Sequence, residues 1–144
     1  MSAMKNNYKI IAKFIKDMSS ETADIDTYLF VKDNISNYAL NIDIKSKILK
    51  EKIIQVETTL KYSDKKENAK KSFFEMTFAT VIRLETSIKE EENLAKIVLC
   101  DLQNEIYPEI EKTFLYVLHS SGYSELNFNK KVDFEELYKK KNKN

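Results

Sequence analysis

The 144-residue sequence predicts an α+β fold, a four-stranded antiparallel sheet followed by a long proline-broken helix and a short C-terminal helix. Three observations predict it. Through the first half, apolar residues recur at every second position, the period of a strand with one dry and one wet face. From about residue 89 they recur three or four apart, the period of an amphipathic helix. The composition, 42% hydrophobic and 33% charged with a net charge of +1, fits one soluble domain over 1–144 with its own core.

The strands follow in order. In 8–17, Tyr8, Ile10, Ala12 and Phe14 fall on one side and Lys9, Ile11, Lys13, Ile15 and Asp17 on the other. In 40–48, Leu40, Ile42, Ile44 and Ile48 make the apolar row; in 53–62 it is Ile54, Val56, Leu60 and Tyr62. In 72–85, Phe74, Met76, Phe78, Ile82 and Leu84 share a face, opposite Phe73, Glu75, Thr77, Val81 and Arg83. Such a sheet has one face in need of cover. Between the first two strands, Ile25, Tyr28, Leu29 and Phe30 form an apolar run without a clean period, expected in a connector. The lysine-rich stretch 64–71 reads as a solvated hairpin loop.

The cover is the helix of 89–121, whose stripe runs through Ala95, Val98, Leu102, Ile106, Ile110, Phe114 and Val117. Pro108 removes the backbone bond to Asn104 and crowds its carbonyl, so a kink is expected there. Gly122 supplies a left-handed stop. A second helix over 134–141 is signalled by Asp133 as cap, Glu136 three residues on, and Val132 placed to staple onto Leu137. Residues 129–131 read as a polar connector and 139–144 as a fraying basic end.

What is missing excludes several function classes. With Gly122 the only glycine, neither a G-x-G-x-x-G turn nor a Walker loop can be written. One cysteine, Cys100, and one histidine, His119, cannot build a metal cage, an internal disulfide or a Cys-His nucleophile pair. Cys100 amid Val98, Leu99 and Leu102 reads as a small buried apolar group, and His119 as a helix-end residue suited to the helix dipole. No cofactor and no enzymatic activity are expected, because no convergent polar constellation is visible. The lack of an N-terminal apolar stretch and of any long apolar run points to a cytoplasmic protein without membrane insertion.

The near-neutral total hides blocks of alternating sign. Residues 1–16 carry four lysines and no acids; 45–71 carry nine lysines against four acids, and 89–111 seven acids against two lysines. A nucleic-acid binder gathers its cations on one footprint. Interleaved acidic blocks fit protein partners better.

Specific strings then resemble the SecB family of protein-export chaperones. Ile15-Lys16-Asp17-Met18-Ser19-Ser20-Glu21 resembles its hydrophobic-K-D-hydrophobic-S-F-E strand exit, and Tyr107-Pro108 its F-P in the long helix. Gly122-Tyr123-Ser124-Glu125-Leu126-Asn127-Phe128 is similar to its G-F-P-x-L-x-L, and Val132 to Tyr138 to its I-D-F-x-x-L-Y. The chain departs from the pattern at Ser20, at Thr22-Ala23 for A-P, at Ala79-Thr80 for a glycine pair, and at Ser124 for proline.

The resemblance implies a homotetramer, a dimer of dimers with the long helices sandwiched between two eight-stranded sheets. It implies an ATP-independent holdase that binds unfolded secretory preproteins in apolar grooves and passes them to the SecA ATPase of the translocase. The docking positions for that ATPase match Asp17, Glu21, Phe73 and Glu75, which the strand phase also puts on the outer face. Their plain reading is a soluble acidic surface with one edge-packed phenylalanine. Ile25, Tyr28, Leu29 and Phe30 on one wall and Leu126, Phe128, Phe134 and Leu137 on the other are the groove candidates, or else a satellite core under a loop. Two alternatives stay open: a SecB-like chaperone dedicated to a toxin–antitoxin system, and a small RNA-binding module using the lysine-rich loop and tail.

Overall fold

Four strands dominate the described part of the chain up to residue 85, and helices dominate the part beyond it; the computed structural model describes residues 7–66, 68–85, 91–128 and 131–142. The strands are β1 (Tyr8–Glu21), β2 (Tyr38–Lys50), β3 (Ile53–Asp64) and β4 (Phe73–Leu84). They form one antiparallel sheet in the order β1-β4-β3-β2, so β1 and β2 are its edges. The central pair supplies the dry face: Ile54, Val56, Leu60 and Tyr62 of β3 and Phe74, Met76, Ile82 and Leu84 of β4 are buried. Against them lie Leu102, Ile106, Ile110 and Phe114 of the expected stripe, which closes on buried Leu118 where Val117 was expected; Val117 is half-buried.

The alternation expected for β1 does not hold along its length. Register shifts between Ile10 and Ala12 and between Ile15 and Asp17 each insert a residue, and each insertion exchanges the two faces. Tyr8 and Ile10 therefore face the helix with Leu84 and Ile82, but Ala12 and Phe14 oppose Val81 and Ala79 on the outer face. Lys13 turns inward instead and donates to Glu109 Oε1 at 2.8 Å. The second shift restores the original phase, so Asp17, Ser19 and Glu21 share the outer face as expected.

The connector after β1 is ordered as α1 (Ile25–Asp33), where an aperiodic linker was expected. Asp24 caps it, accepting from the Thr27 amide at 2.8 Å, and Thr27 and Val31 are its buried seat. A 3₁₀ turn (Ile35–Asn37) leads into β2. The β2–β3 turn is closed without glycine by Lys52, at φ 69°.

The long helix comprises α2 (Glu91–Lys96), a π-helical turn (Ile97–Asp101) and α3 (Leu102–Ser120); its expected start at 89–90 lies outside the described residues. The wider turn brings Lys96 Nζ to 3.5 Å from Asp101 Oδ1, a pairing five residues apart that a regular helix would not align. Cys100 is buried within this turn, as expected. Pro108 lies inside α3. Gly122, at φ 112°, ends the helix in a Schellman arrangement: its amide donates to His119 O and that of Tyr123 to Leu118 O, both at 3.1 Å. The final helix, α4 (Phe134–Asn142), is capped by Asp133, whose Oδ1 accepts from the Glu136 amide at 3.1 Å. It carries Lys139 and Lys140 in helix, where a fraying end was expected; 143–144, like 129–130 of the connector, lie outside the described residues.

Candidate functional site

A row of open clefts runs between edge strand β2 and the segment after α3. The largest, about 780 Å³, is floored by Tyr38–Ile42 of β2 and walled by Phe128, Val132 and Leu137. Asn127 connects it to a cleft of about 660 Å³ beside α1, lined by Tyr28, Ile35 and the 122–127 loop. Phe128 and Val132 connect it to one of about 450 Å³ along α3, and Ile42 and Leu137 to a smaller one of about 220 Å³ under α4.

Local chemistry explains why this surface stays open. The chain leaves α3 at Gly122 and folds back under a Tyr28 hydroxyl that donates to Gly122 O at 2.7 Å, with the Tyr28 and Tyr123 rings 5.4 Å apart. His119 Nε2 lies 2.7 Å from Leu126 O and holds the segment to the helix end, a bonding role beyond the dipole contact expected of it. Phe128 is then wedged between Tyr62 and Phe114, at 5.5 and 6.5 Å. This props the segment away from β2, whose Leu40, Ile42 and Ile44 remain only half-buried. A side chain left in that state still gains from further burial, at about 25 cal/mol per Å² of apolar area removed from water.

The groove candidates divide unevenly. Tyr28 and Leu126 line one cleft together, Phe128 and Leu137 the central one, and Phe134 the cleft along α3. Phe134 is nevertheless 3% exposed, its ring 5.0 Å from Tyr107, and acts as core. Ile25 and Leu29 project to solvent from α1 at 65% and 50% exposure and, with Phe30, line none of these clefts. Sequence reasoning missed the β2 contribution, Leu40, Ile42 and Ile44, because it read that row as core. The signal available was supply: one helical stripe is too narrow to cover four apolar rows.

The four docking candidates do converge. Glu21 opposes Phe73 and Ser19 opposes Glu75 across the β1–β4 ladder, with Asp17 two residues along β1, all on the outer face. Phe73 is 40% exposed. The sequence reading did not anticipate Lys61, which opposes Glu75 on β3 and places Nζ 5.6 Å from the Phe73 ring centroid, a cation–π contact. Further along the same face Lys16 of β1 bonds Glu57 of β3, which, as the main cause, holds the Glu57 carboxyl below the usual carboxylate range.

Among the described residues, no helix is long and apolar enough to cross a membrane. Sequence comparison finds a relative 51% identical over 138 residues, covering 96% of this chain and 99% of its own length. It is described as a putative protein-export protein SecB of Pelagibacter ubique (strain HTCC1062). Among solved structures, a Mycobacterium tuberculosis SecB-like chaperone in complex with a ChAD peptide from an antitoxin superposes with a TM-score of 0.57. It is 13% identical, with 83% of each chain covered, and so bears on the fold. The profile of the family described as preprotein translocase subunit SecB matches residues 2–144. Profile, close relative and fold agree: the chain belongs to the SecB family.

Proposed function

We propose that this protein is an ATP-independent cytoplasmic holdase that keeps unfolded preproteins in the clefts along β2 and delivers them to the SecA translocase ATPase. The carrying observation is the open central cleft beside an edge strand. It offers a non-native chain half-buried apolar side chains together with the backbone donors and acceptors of an unpaired strand edge. Docking to SecA is assigned to Asp17, Glu21, Phe73 and Glu75, a compact acidic patch around one exposed ring that suits a basic partner through a fast, salt-sensitive contact. The protein-export description of the 51% identical relative favours general export over service to a single antitoxin.

The working unit is proposed to be a dimer of dimers. Two sheets joining at β1 would make the eight-stranded sheet, and β1 is suited to this: Ile11, Phe14, Ile15 and Met18 are all exposed along it. Tyr116, 71% exposed on α3, is then the side of the helix layer that meets the second pair. The kink expected at Pro108, which lies inside α3, is proposed to belong to the same packing of helix on helix.

Purified protein should slow aggregation of a denatured secretory preprotein without ATP. Unchanged aggregation and refolding rates at excess chaperone would refute the holdase reading. Glu75→Lys should weaken SecA binding while leaving that protection intact; equal loss of both, with assembly preserved, would displace the docking face.

A further inference from the structure

On the outer face, the chain holds one of its own cations in the middle of the docking patch. Lys61 of β3 opposes Glu75 of β4 in the ladder, yet its ammonium reaches diagonally to the Phe73 ring, with Nζ 5.6 Å from the centroid. Among the described residues Lys61 forms no ion pair within 4.0 Å, and neither do Asp17, Glu21 and Glu75. Elsewhere on the same face Lys16 does pair with a carboxylate, that of Glu57. Phe73 is thus flanked by Glu21 on β1 and by the Lys61 ammonium from β3. Both the ring and Lys61 are exposed, and a cation–π contact in such a place is weak, so another cation can displace the ammonium.

Resting on the docking assignment above, we infer that Lys61 is a specificity-determining residue of the patch, a built-in competitor for the place over Phe73 that a cation of the basic partner must take. Docking then proceeds by exchange. A lysine or arginine of the partner displaces the Lys61 ammonium from the ring, and the unpaired carboxylates of Asp17, Glu21 and Glu75 receive the partner's other cations. The exchange weakens docking, because one ring contact is lost as another forms and the displaced ammonium repels the incoming charge. It also sorts partners. A lone basic residue gains nothing at the ring that Lys61 did not already supply, so only a segment that engages several of the carboxylates at once binds.

The experiment titrates the full chain with purified SecA at low and high salt, using variants whose mass and circular dichroism match the unsubstituted protein. Lys61→Met keeps an aliphatic stem beside the ring and removes the competing charge, so SecA should bind about fivefold more tightly at low salt. The gain should shrink at about 1 M salt, where screening acts within about 3 Å. Lys61→Arg retains a cation that stacks on aromatic rings and should bind SecA no more tightly than the unsubstituted protein. In a Phe73→Leu background there is no ring face to contest, and Lys61→Met should gain about twofold at most. With SecA binding still weakened by Glu75→Lys, three results would each overturn the inference and leave the docking assignment standing: unchanged or weaker binding by Lys61→Met, an equal gain in the two backgrounds, or a gain with Lys61→Arg. SecA binding that is absent, or indifferent to Glu75→Lys, would overturn both.

Discussion

Gly122 is under two independent constraints. Its φ of 112° is outside the range of side-chain-bearing residues, and a Cβ there would lie 2.5 Å from Tyr28 Cε1. Gly122→Ala is expected to cost about 1–3 kcal/mol and to displace the Tyr28 ring from the cleft it lines, which urea titration and Tyr28 side-chain NMR would read. An unchanged midpoint would mean that the loop relaxes freely. Gln103 shows the opposite situation, a fully buried amide whose Nε2 donates to Thr58 Oγ1 at 2.9 Å while its Oε1 has no partner among the described residues. Thr58→Val strands the whole amide and should cost about 1–3 kcal/mol, whereas Thr58→Val/Gln103→Leu removes both polar groups and should recover most of that loss. A double variant as unstable as the single one would show that shape, not hydrogen bonding, governs the site.

At the scale of elements, α1 was the main surprise. Its apolar residues follow no helical stripe, since only Thr27 and Val31 are buried; what identifies the helix is its cap. Thr27, through its side-chain hydrogen bond first and its amide second, holds the Asp24 carboxyl below its usual range, so the cap's contribution is present above the ordinary carboxylate pKa and lost as pH falls through the lowered folded value. Asp24→Ala should speed amide exchange throughout α1 at neutral pH, and Asp24→Asn, which still caps, should not. Equal protection in all three proteins would place the helix under the control of its seat alone. In β1, two bulges cancel in phase over the strand, so period-two reasoning gets both ends right and the middle wrong.

Across the whole molecule, buried phenols set an alkaline limit. Burial is the main cause raising the pKa of Tyr8, Tyr38, Tyr62 and Tyr107, with Glu105 adding to it at Tyr8. Because folded values lie above unfolded ones, this stability is intact below the ordinary tyrosine pKa of about 10 and declines as pH rises beyond it. Denaturant midpoints at successive pH values should be level up to that point and then fall; a level midpoint well past it would mean that these rings are wetter than the fold implies. Assembly is the second property at this scale. Light scattering should give about four chains per particle, and Met18→Lys or Phe14→Lys should lower that mass, because a charge set into an apolar strand contact resists desolvation. A monodisperse monomer would remove the proposed quaternary structure.

Much of the architecture was present in the sequence by itself. Period two marked β2, β3 and β4, a stripe of three-and-four spacing marked the long helix, and Gly122 and Asp133 marked a helix end and a helix start. The outer-face grouping of Asp17, Glu21, Phe73 and Glu75 also followed from phase, because alternation across a strand is local geometry. What only the tertiary structure decided were quantities that depend on distant neighbours. Strand order made β2 an edge, so Ile42 and Ile44 became cleft while the same kind of row in β3 became core. The return of the chain after α3 sealed Phe134 and left Leu137 open. Lys61 reached Phe73, and Lys65 and Lys131 came to line one cleft, only through the packing of separate segments. Periodicity tells each side chain which way to point, but whether anything covers it is settled by the rest of the fold.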